Sequence, residues 1–407
     1  MNDNSLLEAR PEHANNYHFL RFALATAVLL SHSFELLGRL DPFARLFGPG
    51  NRLGATAVAG FFLISGCLIA ASWERRPHLP TYLAKRCRRI VPGFVGAFLV
   101  SVLVVGPLGG NPRYWSEFSV GRSGKALLTF NAPVTPSVFL GQLCPLVNGS
   151  LWTIRYELAC YLVVAALGLV GMFRARWAVL SLTVLVLAVY LVQCPTGILE
   201  LGQGEPLLNL LVPVPRLLGC FLVGVCVHLY SVRFTGPGCW IATCAFLVAN
   251  QFGFTATQAA IPLAGGYLLF AVAHLPSRLL RAWNGWPDIS YGLYLYAWPI
   301  QMLLVQRFPA ISPMKLFVAS FALSILAGTV SWYGVERWFV RTRPRSGGLG
   351  SDPGGGLRLV PADRAFVEER LGDGIESMQQ AVPLGVGDLE GKGLGRARVG
   401  VNGQGRG

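Results

Sequence analysis

Charge is what this 407-residue chain lacks: 13% of its residues are Asp, Glu, Lys or Arg, against 53% hydrophobic. So little charge does not solvate the surface of a water-soluble domain of this size, and a mean hydropathy of +0.50 points to a bilayer instead. The nine cysteines include no CxxC pair and no Cys/His spacing suited to a metal. That excludes a disulfide framework; Cys160, Cys220, Cys226 and Cys244 fall in apolar runs and read as small packing residues. Internal repeats are also missing. A formal charge of +14 fits the inside loops of a polytopic protein better than a nucleic-acid surface, so no nucleic-acid partner is expected.

What is present is a series of apolar stretches, each near the roughly 20 residues a membrane crossing needs. About ten are expected: Tyr17 to Leu37, Thr56 to Trp73, Val91 to Leu108, Leu151 to Met172, Trp177 to Gln193, Val214 to Tyr230, Gly238 to Phe254, Ile261 to Leu275, Ile289 to Gln306 and Leu316 to Val335. The fold class is therefore an all-α polytopic membrane protein. The first stretch is followed by no convincing cleavage site, so it is read as a retained span and not a signal peptide. Residues 1–16 form an N-terminal segment, 17–341 the membrane domain, and 342–407 a tail rich in Gly and Arg. Such a tail buries too little apolar surface to offset its ordering entropy and is expected to be largely disordered, with room for a short helix near Ala362 to Leu371.

With both termini cytoplasmic, the inside loops hold Arg75, Arg76, Lys85, Arg86, Arg88 and Arg89, then Arg174 and Arg176, Arg233, Arg278 and Arg281. Outside loops are poorer in cations, so the positive-inside bias supports this orientation. Pro92 is expected to open the helix after the basic run.

Within the first span stand Arg21 and His32. Hydrocarbon penalises ionisable side chains, so those that persist mark function by default. Their spacing returns to within about 20° of one direction with a rise of about 16 Å, which puts a cation near the inner surface and an imidazole in the outer half of one helix face. Glu157, shortly after the outer start of the fourth span, is expected at His32's depth.

Five segments, taken in order, carry a resemblance: Arg21 to His32, FFLISGCLI (Phe61 to Ile69), RCRRIVP (Arg86 to Pro92), NGSLWTIRYE (Asn148 to Glu157) and ISYGLYLYAWPI (Ile289 to Ile300). Together they resemble the integral-membrane acyltransferase-3 family, multi-span enzymes that O-acylate cell-surface polysaccharides and related acceptors. The resemblance implies that His32 is the essential histidine, a base for a hydroxyl or a transient acyl carrier, and that Glu157 supports it as the carboxylate of a triad does. It implies that Arg21, Arg86 and Arg89 guide an acyl-CoA donor; Arg86 and Arg89, three apart, can converge on one anion. Trp152, Arg155, Tyr291 and Tyr294, with Trp298, would line an acceptor channel. No permanently bound cofactor follows, only acetyl-CoA or another acyl-CoA as co-substrate. Expected partners are membrane lipids, a saccharide or lipid-linked saccharide acceptor, and polysaccharide-synthesis proteins, with the protein a multi-pass component of a bacterial inner membrane.

Blander readings stand beside these. His32 can cap a carbonyl, Glu157 can pair with Arg155 or Arg21, basic loops follow from topology alone, and interfacial aromatics and Gly60 and Gly66 serve packing. Glu336 beside Arg337 reads as a helix-end ion pair. Where many relatives carry a histidine, this chain has Ala297. A different class, a secondary transporter or polysaccharide exporter, would use His32, Glu157 and Arg21 as a proton or substrate pathway. It would call for a pair of Gly/Pro-broken helices in matching halves, and none is found. A silent scaffold would leave those residues unclustered.

Overall fold

The computed structural model describes residues 15–48, 50–194 and 211–340; the expected N-terminal segment, apart from Asn15 and Asn16, and the expected disordered tail lie outside them. All regular structure among these residues is helical. Among the described residues six helices are long and apolar enough to cross a membrane: α3 (Leu53–Arg75), α4 (Leu79–Leu108), α7 (Gly149–Leu169), α8 (Arg176–Gln193), α11 (Phe254–Ala273) and α14 (Pro313–Val340). The remaining expected spans are also helices: α1 (Tyr17–Glu35), α9 (Val214–Leu229), α10 (Gly236–Gln251) and α13 (Ser290–Arg307). Between them lie the short α2 (Pro42–Phe47), α5 (Tyr114–Glu117), α6 (Val120–Leu128) and α12 (Arg278–Ala282).

Polar side chains start several of these helices. Asp41 accepts from the Ala44 N–H at 2.7 Å, with Pro42 in the first turn of α2, and its other oxygen accepts from the Leu53 N–H at 2.8 Å where α3 begins. One carboxylate therefore satisfies orphan donors of two helices and fixes the turn between them. His78 caps α4 in the same way. That corrects the expectation that Pro92 opens the helix after the basic run, since α4 starts at Leu79 and Pro92 sits inside it. Proline is tolerated within membrane helices because neighbouring groups re-satisfy the freed carbonyl. The basic run is consequently helical, with Arg86 and Arg89 turned inward while Lys85 and Arg88 face out.

The core forms where α1, α3, α7, α9 and α13 meet. Small residues decide how closely they pack. A Cβ on Gly66 would stand 1.9 Å from the Phe221 carbonyl oxygen, and one on Gly224 would stand 2.0 Å from that of Leu63, so α3 and α9 touch backbone to backbone. Lipid tails are as apolar as leucine and supply no hydrophobic drive between helices, which leaves this close packing to hold the pair. Polar ties add register: the buried Gln301 of α13 donates from Nε2 to the Leu29 carbonyl at 2.9 Å and to Ser33 Oγ at 2.7 Å, fixing α13 against α1.

Gly66→Val inserts a branched side chain where backbone already lies. Overpacking of this kind costs about 3 kcal/mol or more, so the variant should yield little folded protein by size-exclusion profile and thermal unfolding. Gly121→Ala, whose Cβ meets open space on α6, should retain the parental melting temperature.

Candidate active site

At the C-terminal end of α1, His32 Nδ1 lies 2.8 Å from Glu35 Oε2, a contact between residues three apart on one helix face. An ionised carboxylate only accepts, so the Nδ1 proton is donated to Glu35 and Nε2 carries the free lone pair. Nε2 makes no hydrogen bond among the described residues, and the side chain is one-fifth exposed. Glu35 is held in turn by Ser31 Oγ and Arg52 Nη1, each 3.4 Å from Oε1. Ser31 also donates to Asp41 at 2.5 Å, which ties the pair to the turn between α2 and α3. The edge of the His32 ring meets Trp298, with centroids 4.9 Å apart, and Trp298 is anchored by its Nε1 donating to the Leu146 carbonyl at 3.0 Å.

At the N-terminal end of α1, Arg21 Nη1 lies 3.2 Å from Asp288 Oδ2, and Arg89 Nη2 lies 2.5 Å from the same oxygen. Asp288 Oδ1 accepts from Ser290 Oγ at 2.5 Å. Burial pushes this carboxyl up, but the two guanidiniums and the serine outweigh burial and hold it well below the usual carboxylate range. Arg86 donates to Ser72 Oγ at 3.1 Å and lies over the Tyr82 ring, while Arg89 lies over Tyr291 and Trp332. These arginines line a cavity together with Glu157, Tyr161, Tyr291 and Tyr294. Its apolar wall comes from α3, where Phe61, Phe62, Leu68 and Ile69 stand, with Ser65 among them as a hydroxyl.

The cavity thus brings together Arg21, Arg86, Arg89, Glu157, Tyr291 and Tyr294, but not His32. The expected pairing of Glu157 with His32 is not formed, since Glu157 accepts from Tyr161 and His32 is bonded to Glu35. The reason lies in how α7 begins. Its first turn, Gly149–Thr153, is a 3₁₀ helix packed against Trp298 and therefore already at the depth of His32. Glu157 then falls about 14 Å further along the chain, towards the level of Arg21. Arg155 and Trp152 take the opposite side of α7 and line a different cleft, with Arg155 donating to Asn131 Oδ1 at 2.5 Å and to the Tyr156 hydroxyl at 2.8 Å.

Glu336 also departs from expectation. It is buried and accepts from Ser331 Oγ at 2.8 Å, whereas Arg337 lies over Tyr333 and Trp338. The π turn Trp332–Glu336 adds a residue to the helical register and carries Glu336 inward, away from its neighbour. The sequence reading passed over Glu35 and Asp288. Glu35 had a signal, an acid three residues after the histidine in a span otherwise free of acids; Asp288 sits in a loop and had none.

A bundle of apolar helices that holds a half-buried histidine–carboxylate pair and an arginine-lined cavity defines a multi-helix membrane protein. The chain belongs to the acyltransferase-3 family: the family's acyltransferase domain matches residues 15–333. It is similar to an O-acetyl transferase of Shigella phage Sf6, 24% identical over 340 residues that cover 82% of this chain and 98% of the relative. It is also similar to nodulation protein 10 of Rhizobium leguminosarum bv. viciae, 28% identical over 357 residues, 81% of this chain and 94% of the relative. No solved structure matches.

Asp288→Asn should strand two cations and lower stability by about 3 kcal/mol, read as a fall in melting temperature. The folded carboxyl titrates below its unfolded value of about 3.9, so its stabilisation is complete above that value and is lost as pH falls towards the folded one. The gap between wild type and variant should therefore be the same at about pH 5 and about pH 8 and narrow only in stronger acid.

Proposed function

We propose that this acyltransferase is an O-acyltransferase, specifically an O-acetyltransferase, that moves an acyl group from cytoplasmic acyl-CoA to a hydroxyl of a cell-surface or exported saccharide. The carrying observation is the His32–Glu35 pair, with Nδ1 anchored and Nε2 free, on the same helix as the arginine cavity. The acetyl group is suggested by the name of the phage relative. In this reading the chain crosses a bacterial inner membrane ten times with both termini in the cytoplasm, as the distribution of arginines supports. Polysaccharide-synthesis proteins are its natural neighbours.

The chemistry follows from elementary requirements. A saccharide hydroxyl is a weak nucleophile until a base takes its proton. His32 Nε2 accepts that proton as the hydroxyl oxygen attacks the thioester carbonyl, and Glu35 stabilises the imidazolium that forms. The C–S bond breaks, the thiolate of CoA leaves, and the proton on Nε2 returns to it. Arg21, Arg86 and Arg89 suit the phosphates of the donor at the inner face, and the rise from Arg21 to His32, about 16 Å, suits the reach of a pantetheine arm. Glu157, facing the same arginines, limits the positive charge of the empty cavity, and Tyr291 and Tyr294 line the path of the arm. Arg21 and Glu157 share one cavity while His32 stands outside it, so of the three residues whose clustering separates an enzyme from a silent scaffold two are brought together.

Membranes carrying wild type or His32→Ala, supplied with radiolabelled acetyl-CoA, test the assignment by label appearing in saccharide. The variant should lose incorporation, and equal incorporation would overturn the reading. Glu35→Gln keeps the shape but removes the ion pair, and kcat should fall on the order of 10²-fold or more. Arg86→Gln should instead raise KM for acetyl-CoA several-fold with the smaller effect on kcat.

A further inference from the structure

Between α4 and α7 the chain does not stay at the membrane surface. The Phe139 N–H donates to the Gly109 carbonyl at 2.8 Å and Asn111 Nδ2 to the Ser137 carbonyl at 3.0 Å, so the segment starts and ends at the far end of α4. Yet Phe130, within the segment, lies against Phe94 with ring centroids 5.1 Å apart and planes inclined at 42°, about 22 Å back along α4. Residues 111–137 therefore form a re-entrant hairpin whose descending limb is α6. Non-helical backbone at such depth is tolerated only where it is buried in protein or lines a cavity, and the tip of this hairpin does line one.

That cleft presents Arg122 and Lys125 from α6, three residues apart on one face, and Arg155 and Trp152 from α7. No acidic side chain lines it among the described residues, and neither Arg122 nor Lys125 has an ion pair. Arg155 keeps its Nε buried without a partner. Beside the cleft, Leu128 of α6, three residues after Lys125, is 80% exposed, apolar surface suited to a lipid chain. Cations at membrane depth are costly unless an anion meets them, and basic pockets between membrane helices take phosphoryl headgroups.

We infer that this cleft binds the phosphate or diphosphate headgroup of a membrane-embedded lipid, whose hydrocarbon lies along Leu128. The site is separate from the arginine cavity, and its test needs no acyl transfer, so it stands or falls apart from the proposed activity. The purified full chain in detergent micelles would be titrated calorimetrically with farnesyl diphosphate, with farnesol and inorganic diphosphate as comparison arms. Farnesyl diphosphate should bind, R122Q/K125Q should weaken it at least tenfold while keeping the parental melting temperature, and R86Q should leave it unchanged. Equal affinity for farnesol would overturn the anion site, and equal affinity for inorganic diphosphate would overturn its lipid character. A loss in R86Q rather than in R122Q/K125Q would place the ligand in the other cavity and also overturn the inference.

Discussion

A charge inside a bilayer needs a partner, and the first helix meets this demand twice. At its C-terminal end His32 has Glu35; at its N-terminal end Arg21 shares Asp288 with Arg89. The rest of the arrangement depends on these two pairings. The first joins α1 to the turn between α2 and α3 through Ser31, Asp41 and Arg52, and the second joins it to α4 and to the loop that starts α13. Burying an unpaired ion would cost several kcal/mol, so helices that supply the counter-charges are held against α1 as firmly as those that pack on it by shape.

Division of labour along a single helix follows. The imidazole end is wired through one nitrogen and free at the other, which suits proton transfer. The guanidinium end faces a cavity with apolar walls from α3 and aromatic hydroxyls from α13. Helix α13 contacts both regions, through Trp298 against His32 and through Tyr291 and Tyr294 in the cavity. Its buried Gln301 fixes the register between the two helices.

Much of this was legible in the sequence because periodicity and hydrophobic length are local properties. The apolar stretches became helices, and Arg86 and Arg89 turn inward together as their three-residue spacing requires. Depth was harder to read. It depends on where a helix begins relative to its neighbours, and the 3₁₀ start of α7 at Gly149, lodged against Trp298, moved Glu157 to the opposite pole from His32. Side was partly legible: Arg155 and Glu157, two residues apart, project about 200° apart on a helix, and they line different spaces. The descent of α6 had no local signature, since only its contact with Phe94, distant in sequence, defines it.

Asp288 adds a consequence of its own. A carboxylate covalently attached beside two guanidiniums is present at an effective concentration that a free monovalent anion does not match. Chloride therefore gains nothing by entering, and an incoming anion must either displace this tethered rival or bind around it at Arg86, which has no carboxylate partner among the described residues. Ligands with several negative charges can do both at once. A clamp of this kind favours ligands by valence, resisting small monovalent ions more than polyanions, which is the property the proposed donor requires.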